Sequence, residues 1–288
     1  MHTKEFDYYR ADSVDDAIEQ LEAHDGAELM AGAHGLLPRM KTGEESPPAL
    51  VDISHLDGLA TIDRDGDTLS IGALATHADI AESQQLKQHS SALSDAAGEV
   101  GDLQVRNGGT IGGNIAHGDP RSDPLAAVLA LDVELSVQGP DSQRTIDADD
   151  VFHGAYETAV RDHEFVTGLG VPVQDDAVSA YAKRRNPLSG YAMVGVAARL
   201  RLDSDTVTDA RIGVTGVADT PFRLPAVEDA LEGESVDGDI VEEAAGRVEK
   251  AVDPSELRGD SQSSGEYRAH LLSVYTEKAV TAALNRAG

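Results

Sequence analysis

The sequence predicts an α+β fold in two parts, because two hydrophobic patterns follow one another along its 288 residues. In residues 1–175, short strand patterns alternate with helix patterns, which is typical of α/β subdomains. From residue 176, apolar residues recur at every second position in long runs, which indicates a small antiparallel sheet. Helix patterns close the chain. The composition changes at residues 172–176, where we place the domain boundary, and a division near residue 57 separates two subdomains of the first part.

The first subdomain is predicted to be a small βα unit. Ser13 begins a helix, with Asp16 three residues later as in a capping box. A strand over residues 28–30 runs into a glycine-rich turn, and a helix restarts over residues 36–40. The N–H groups of that turn then point outward at a helix N-terminus, which favours an anion. Residues 49–53 form a second strand.

The second subdomain and the C-terminal domain follow from the same periodicities. The predicted elements of the second subdomain are strands 59–62 and 69–71 across a turn at 63–67, a helix capped by Thr76 and ending at Ala81, a helical stretch 86–100, a loop at 110–114, a helix 124–131, and strands 133–138 and 165–171. The predicted elements of the C-terminal domain are strands 178–183, 194–202 and 210–214, with a turn at 203–205, and helices 224–231, 240–252 and 265–286.

The charge of the chain excludes several classes of partner. Asp and Glu number 52 against 23 Lys and Arg, which gives a formal net charge of −29. Such a surface repels nucleic acid and anionic membranes, so no nucleic-acid partner is expected. Two interpretations of the acidity stay open: it serves simple solubility, or it is a halophilic adaptation to a salty cytoplasm, where dense carboxylates keep the surface hydrated.

Cysteine content and the chain start add two further expectations. The chain has no cysteine, so a Cys-ligated iron–sulfur cluster, if one takes part, must lie on another polypeptide. The polar N-terminus carries no apolar signal core, and no apolar run reaches membrane-spanning length. We therefore expect a cytoplasmic protein without membrane insertion.

Two short segments rich in glycine are the candidate ligand-binding residues. The first glycine segment, residues 31–36, reads Ala-Gly-Ala-His-Gly-Leu. The second glycine segment, residues 110–114, reads Thr-Ile-Gly-Gly-Asn, and an Asp-Pro-x-x-Asp-Pro step follows it at residues 119–124. Glycine lets a backbone approach a ligand closely, and successive free N–H groups form a concavity that binds anions. Two such segments indicate a bulky diphosphate cofactor held from both sides.

These motifs resemble those of the FAD-binding subunit of the molybdenum hydroxylases, the group of aerobic carbon-monoxide dehydrogenase and xanthine dehydrogenase. The family pattern is Ala-Gly-Gly-x-Ser-Leu-x-Pro, then Thr-Ile-Gly-Gly-Asn and Asp-Pro-x-x-Asp. The second segment matches it residue for residue, whereas the first has Ala33 in place of Gly and Gly35 in place of Ser. The resemblance covers essentially the whole chain. It implies a two-subdomain FAD-binding domain of the PCMH type over residues 1–175, followed by a sheet-and-helix domain over residues 176–288.

The resemblance implies FAD as the cofactor, bound without a covalent link, and the residues that hold it. The first segment would donate backbone N–H groups to the pyrophosphate, and the second would combine close backbone approach with side-chain hydrogen bonds. No catalytic residue and no metal ligand is predicted, because the ten histidines show no metal-binding spacing. The predicted cofactor-binding residues are Ala31, Gly32, Ala33, His34, Gly35, Leu36, Thr110, Ile111, Gly112, Gly113, Asn114, Asp123, Lys183 and Tyr191.

Several of these contacts have a structural alternative. Asp123 is the candidate carboxylate for cofactor hydroxyls, or the N-cap of the helix that follows. Tyr191 would lie against the isoalloxazine ring, or it is a core tyrosine at the domain seam. Lys183 would stabilise the anionic reduced flavin, or it is a solvated cation. His117 lines the site, or it is a structural hydrogen-bonding residue.

The function that the resemblance implies is electron transfer. The chain would accept electrons on FAD from the iron–sulfur clusters of a small subunit and pass them to an external acceptor. A large molybdopterin-binding subunit would oxidise the substrate, in a heterotrimer or its dimer. The medium subunit of carbon-monoxide dehydrogenase is the nearest type. Two alternatives stay open: a self-sufficient FAD oxidoreductase, or a structural subunit that has lost FAD, which Ala33 and Gly35 motivate.

Overall fold

The computed structural model describes residues 2–236, 238–260 and 262–287. The helices are α1 (Val14–Ala23), α2 (Leu36–Thr42), α3 (His77–Glu82), α4 (Gln84–His89), α5 (Ser91–Gly98), α6 (Leu103–Gly108), α7 (Ile111–His117), α8 (Asp123–Ala130), α9 (Pro225–Leu231), α10 (Gly238–Gly246), α11 (Val248–Ala251) and α12 (Gly265–Leu284). The strands are β1 (Asp7–Arg10), β2 (Glu28–Met30), β3 (Ala49–Asp52), β4 (Ile62–Asp65), β5 (Thr68–Gly72), β6 (Glu134–Gln138), β7 (Gln143–Asp147), β8 (Phe152–Gly154), β9 (Glu157–Thr158), β10 (Phe165–Pro172), β11 (Ala177–Arg185), β12 (Ala192–Asp203), β13 (Thr206–Thr215) and β14 (Phe222–Arg223).

A three-stranded parallel sheet forms the first unit, in the order β1-β3-β2. Strand β1 was not predicted. Helix α1 begins as predicted, because the Ser13 hydroxyl accepts the Asp16 N–H at 3.0 Å. The reciprocal bond of a capping box is not made, since the Asp16 carboxylate accepts the N–H of Asp12 instead. Ala17, Ile18 and Leu21 bury the predicted helix face.

A five-stranded antiparallel sheet forms the second unit, in the order β4-β5-β10-β6-β7. The predicted strand 59–62 is wrong: Leu59 ends a short 3-10 turn, its carbonyl accepts the Leu74 N–H at 2.7 Å, and pairing starts only at Ile62. The predicted helical stretch 86–100 is two helices, α4 and α5. Ser90 separates them because its backbone leaves the helical region, with φ −152° and ψ 48°.

A four-stranded antiparallel sheet, β11-β12-β13-β14, forms the C-terminal unit, and α12 packs against β11 and β12. The predicted strands 194–202 and 210–214 lie within β12 and β13, with the predicted turn between them. Every residue of β12 from Ala192 to Leu200 is buried, so both faces of this part of the strand are covered. Together the three sheets and their helices confirm the α+β class. Among the described residues, no helix has both the length and the apolar character to cross a membrane.

Helix α8 lies against both the second unit and the C-terminal sheet, and all of its residues are buried. Its backbone touches β13 so closely that a Cβ on Gly213 would lie 2.1 Å from the Ala126 carbonyl oxygen. At its C-terminus, Arg199 donates to the Ala130 carbonyl and Arg211 to the Leu129 carbonyl, each at 3.2 Å. Arginines of the C-terminal sheet thus satisfy the last carbonyls of this helix.

Candidate functional site

The first glycine segment forms a tight turn between β2 and α2. Ala33 lies in the left-handed region with φ 56°, a conformation that favours glycine. Within the part of the chain that the structure describes, none of the backbone N–H groups of residues 32–36 has a hydrogen-bond acceptor. Consecutive amides without internal partners are the donors that an anion-binding concavity requires. The segment therefore presents an open row of backbone donors.

The second glycine segment is helical, so the predicted loop at residues 110–114 is wrong. Thr110 is the N-cap of α7, and its hydroxyl lies 3.4 Å from the Gly113 nitrogen. The N–H groups of Ile111 and Gly112 donate to the Ala75 and Ala73 carbonyls at 3.0 and 2.9 Å. Glycine pairs disfavour helix, but these tertiary bonds and the cap outweigh the propensity. The backbone donors at its start are thus occupied.

The two glycine segments lie close together, because residues that flank the second segment contact the first segment and α2. A Cβ on Gly32 would lie 1.9 Å from the Gly108 carbonyl oxygen, and a Cβ on Gly108 would lie 2.4 Å from His34 Nε2. At the other end of α7, His117 Nε2 lies 2.7 Å from a guanidinium nitrogen of Arg39 on α2. The fold therefore brings the two predicted segments to one place.

Two glycines keep open faces at this junction. A Cβ on Gly113 would meet only the Thr110 hydroxyl, at 2.9 Å, and a Cβ on Gly35 would meet only the side chains of Arg39 and His117, at 3.4 Å or more. Gly112 differs, because its Cβ would lie 2.5 Å from that of Ala73. Open glycine faces beside free amides suit a phosphate-bearing ligand, so the residues present fit FAD.

The Asn114 side chain forms hydrogen bonds with another residue of the protein. Its amide nitrogen donates to the Ser122 hydroxyl at 2.6 Å, and that hydroxyl lies 2.9 Å from the Asn114 amide oxygen. The contact ties α7 to the residue before α8. Ser122 was not predicted, although its place inside the Asp-Pro-x-x-Asp-Pro step was a signal for a structural turn residue.

Asp123 lies in a buried cluster that joins the two parts of the chain. The carboxylate is 3% exposed; one oxygen lies 2.8 Å from Lys183 Nζ and the other accepts the Tyr181 hydroxyl at 2.6 Å. Lys183 Nζ also donates to the Glu99 carbonyl at 3.0 Å. Burial raises the pKa of Asp123 to about 6, against the opposing effects of Lys183 and Tyr181. The predicted contact of Asp123 with cofactor hydroxyls stays a prediction.

Tyr181 was missed by the sequence reasoning. It precedes Lys183 by two residues on β11, and residues two apart on a strand share a face. That spacing was the available signal for a cluster of both side chains around one carboxylate. Burial and the nearby Asp123 raise the pKa of the Tyr181 hydroxyl, which keeps it protonated as the donor.

Tyr191 is 41% exposed and lies beside Arg121, whose guanidinium carbon is 4.5 Å from the centre of the tyrosine ring. Both side chains line a cavity of about 190 Å³ together with Arg258 and Asp260. The structure thus places Tyr191 at an open surface and not in a core. Arg121 was not predicted, and only its place in the Asp-Pro-x-x-Asp-Pro step pointed to it.

His77 is a buried residue that bonds to the backbone just before the second glycine segment. It is 2% exposed, and its backbone N–H donates to the Gly109 carbonyl at 3.0 Å. Its ring Nδ1 is buried with no hydrogen-bond partner in the described part of the chain. Burial lowers the pKa of His77 to about 4, helped by the nearby His34 and Arg106. The ring is therefore neutral at pH 7.

Comparison with known proteins places the whole chain in one family. Residues 4–174 match the family described as the FAD binding domain in molybdopterin dehydrogenase, and residues 179–283 match the CO dehydrogenase flavoprotein C-terminal domain. The carbon monoxide dehydrogenase medium chain of Hydrogenophaga pseudoflava is 34% identical over 98% of each chain. The glyceraldehyde dehydrogenase medium chain of Sulfolobus acidocaldarius is 33% identical over 97% of this chain and 98% of that one.

Solved structures show the same relationship. The carbon monoxide dehydrogenase of Hydrogenophaga pseudoflava matches with a TM-score of 0.93 and 33% identity over 99% of each chain. The quinoline 2-oxidoreductase of Pseudomonas putida 86 matches with a TM-score of 0.91 and 25% identity. These matches confirm the predicted fold and FAD as the cofactor. The chain therefore belongs to the FAD-binding medium subunits of the molybdenum hydroxylases, an oxidoreductase family that includes carbon-monoxide dehydrogenase.

Proposed function

We propose that this chain is the electron-transfer flavoprotein of a molybdenum hydroxylase complex in the cytoplasm. It accepts electrons on FAD from iron–sulfur clusters of a small subunit and passes them to an external acceptor, while a large molybdopterin-binding subunit oxidises the substrate. The chain itself has no cysteine to hold such a cluster, which supports separate subunits. The assembly proposed is a heterotrimer or its dimer. The domain division at residue 175, with subdomains divided near residue 57, is part of the proposal.

The observation that carries the binding mode is the row of free amides at residues 32–36, beside the open face of Gly113. We assign the FAD pyrophosphate to these donors, because consecutive N–H groups bind anions without a charged partner. On a chain with a net charge of −29, backbone dipoles supply the positive potential that few side chains provide.

The other predicted residues orient the ring system in this proposal. When bound, FAD supplies the redox chemistry, and the protein sets its position and environment. Tyr191 offers an aromatic face to the flat isoalloxazine ring. Lys183 lies 2.8 Å from Asp123, so its charge is balanced by the carboxylate. The two side chains together are a nearly neutral, hydrogen-bonded pair, and Lys183 is not a free cation.

The test of the binding mode is Gly113→Val. The added side chain fills the face that FAD needs, so the purified variant is expected to lose its flavin absorption bands while keeping its fold by circular dichroism. Gly98→Val is the matched control, because Gly98 is also helical and a Cβ there would meet only the Ala81 Cβ at 3.8 Å. Full flavin occupancy in Gly113→Val would contradict the assignment.

The test of the electron-transfer role is isolation of the complex from the native source. A tagged chain is expected to recover a cysteine-rich small subunit and a much larger subunit, and reduction of its flavin by substrate is expected to require both. Recovery of a homo-oligomer with complete catalytic activity would favour the self-sufficient oxidoreductase instead.

A further inference from the structure

We propose that Arg121 is a positioning residue for Tyr191, holding one face of the tyrosine ring so that the rest of the ring stays available to the flavin. The inference rests on the proposed function, because it takes Tyr191 as the aromatic contact of the isoalloxazine ring. The guanidinium carbon of Arg121 lies 4.5 Å from the centre of the Tyr191 ring, within the range of a cation–π contact.

Arg121 is held in this place by Asp119. The buried carboxylate accepts from Arg121 Nε at 2.9 Å and from a terminal guanidinium nitrogen at 2.7 Å, and it also accepts the backbone N–H of Arg121 at 3.0 Å. A two-point contact with a carboxylate fixes the plane of a guanidinium. Asp119 is 3% exposed, so it is itself rigidly placed.

A second contact that holds Arg121 comes from Tyr156, in the hairpin that β8 and β9 form. The Tyr156 hydroxyl accepts from Arg121 at 3.1 Å, and its ring packs against His117 with 5.0 Å between ring centres. Tyr156 has φ 62°, a left-handed conformation that is unfavourable for a bulky residue. The N–H of Tyr156 donates to the Gly118 carbonyl at 3.1 Å and helps to keep it there. Tyr156 thus links His117, at the end of α7, to Arg121.

The backbone completes the connection to Tyr191. The Arg121 carbonyl accepts the N–H of Ala192, the residue after Tyr191, at 3.2 Å. Arg121 therefore holds both the ring of Tyr191 and the start of β12. Its guanidinium also brings a positive charge close to whatever stacks on the open part of the ring. A cation near a flavin favours the anionic reduced form.

The test compares Arg121→Gln with Arg121→Lys in the full chain. Arg121→Gln removes the charge, and the FAD dissociation constant is expected to rise roughly 2- to 30-fold, the range of a cation–π contact. The flavin midpoint potential is expected to become more negative. Arg121→Lys keeps the charge but loses the planar two-point contact, so it is expected to restore the potential more fully than the affinity.

The matched control is Arg201→Gln. Arg201 makes a similar two-nitrogen contact with Asp176, at 3.1 and 2.8 Å, and among the residues that the structure describes it has no cation–π contact with a ring. It is expected to leave both the affinity for FAD and the potential unchanged. Thermal midpoints of the variants show whether each is folded. If Arg121→Gln does not fold, Arg121→Lys tests the loss of the two-point contact, and an unchanged FAD dissociation constant in folded Arg121→Lys would overturn the inference.

A double-mutant cycle with Tyr191→Leu decides the mechanism. If Arg121 acts through Tyr191, Arg121→Gln has no further effect on FAD affinity in the Tyr191→Leu background. Equal losses in both backgrounds, or unchanged affinity and potential in folded Arg121→Gln, would overturn the inference. Absence of flavin from the wild-type chain would instead overturn the proposed binding mode.

Discussion

The two glycine segments lie close together but are built in opposite ways. The first, at residues 32–36, leaves its backbone N–H groups without acceptors among the described residues. The second donates its first N–H groups to the carbonyls of Ala73 and Ala75 and uses the Asn114 side chain on Ser122. The segment that matches the family motif fully is therefore mainly framework. The segment that departs from it holds the open donors.

The difference teaches that a glycine in a binding motif can have either of two tasks. Gly112 and Gly32 are required by neighbouring protein atoms, whereas Gly113 and Gly35 keep space open. Substitutions in the framework should therefore act on folding, and substitutions at the open faces should act on FAD. The four predictions that follow separate these two effects, starting from the largest.

The largest effect is expected for Lys183→Met, in the buried cluster around Asp123. The substitution leaves the Asp123 carboxylate, 3% exposed, without its cation. Removing one partner of a buried ion pair costs about 3–5 kcal/mol. The measurement is the free energy of unfolding in urea. The double variant Lys183→Met with Asp123→Leu is expected to recover much of the loss, and a loss below about 1 kcal/mol in the single variant would show that the pair is not structural.

The next effect is a pH dependence of the folding stability that is caused by His77. Its folded-state pKa is about 4 against an ordinary value of 6.5. Between pH 6.5 and 4, His77 therefore binds a proton in the unfolded chain but stays neutral in the folded chain. The free energy of unfolding falls as the pH is lowered through this range. The full difference is about 3 kcal/mol.

Comparison with His77→Leu isolates this contribution, because other groups titrate alike in both proteins. The wild type is expected to lose more stability than His77→Leu between pH 7 and 4, as measured by unfolding at each pH. His153→Leu, at an exposed position, is the control and should titrate like the wild type. Parallel pH profiles for wild type and His77→Leu would contradict the prediction.

A smaller effect separates Gly112 and Gly113, two adjacent glycines of the second segment. Gly112→Ala places a Cβ 2.5 Å from that of Ala73 and is expected to cost about 1–3 kcal/mol of unfolding free energy. Gly113→Ala meets only the Thr110 hydroxyl, and alanine is favoured over glycine in a helix by up to about 1 kcal/mol. It should leave stability nearly unchanged and weaken FAD binding. Equal stability losses at both positions would erase the distinction.

The smallest effect is expected at Ala33→Gly in the open segment. Alanine at φ 56° is strained by about 1–2 kcal/mol, and glycine relieves this strain. The greater freedom of glycine in the unfolded chain offsets about 0.4–1 kcal/mol. The net result is a gain of between zero and about 1.6 kcal/mol in the free energy of unfolding, seen as a higher thermal midpoint, with tighter FAD binding as a methyl group leaves the turn. A clear loss of stability in Ala33→Gly would contradict the prediction, because it would show that the packing of the Ala33 methyl group stabilises the fold by more than its backbone strain costs.

The sequence predicted the elements that local rules determine. Ser13 and Thr76 cap the helices assigned to them, and the alternation of residues 194–202 identified β12. These features depend on short-range hydrogen bonds and on a period of two, which are visible in a single chain.

The features that the sequence did not reveal depend on distant partners. Residues 110–114 are helical because Ala73 and Ala75 accept their N–H groups, which no local propensity indicates. The role of Tyr181 requires a carboxylate 58 positions earlier in the chain. The strand pairing of β1 with β3 likewise needs a partner 42 positions later in the chain. Tertiary contacts of this kind override local preference.

Because helix α8 packs against the C-terminal sheet, we expect that the chain cannot be divided into two stably folded halves at the boundary between its two family domains. The cut at residue 175 would leave this helix on one fragment, with its apolar face bare and the last carbonyls without Arg199 and Arg211. The other fragment would carry Lys183 with no carboxylate to receive it. Two separately expressed halves are therefore expected to be insoluble alone and to recover a folded state only when produced together. A boundary between sequence families need not be a boundary between folding units.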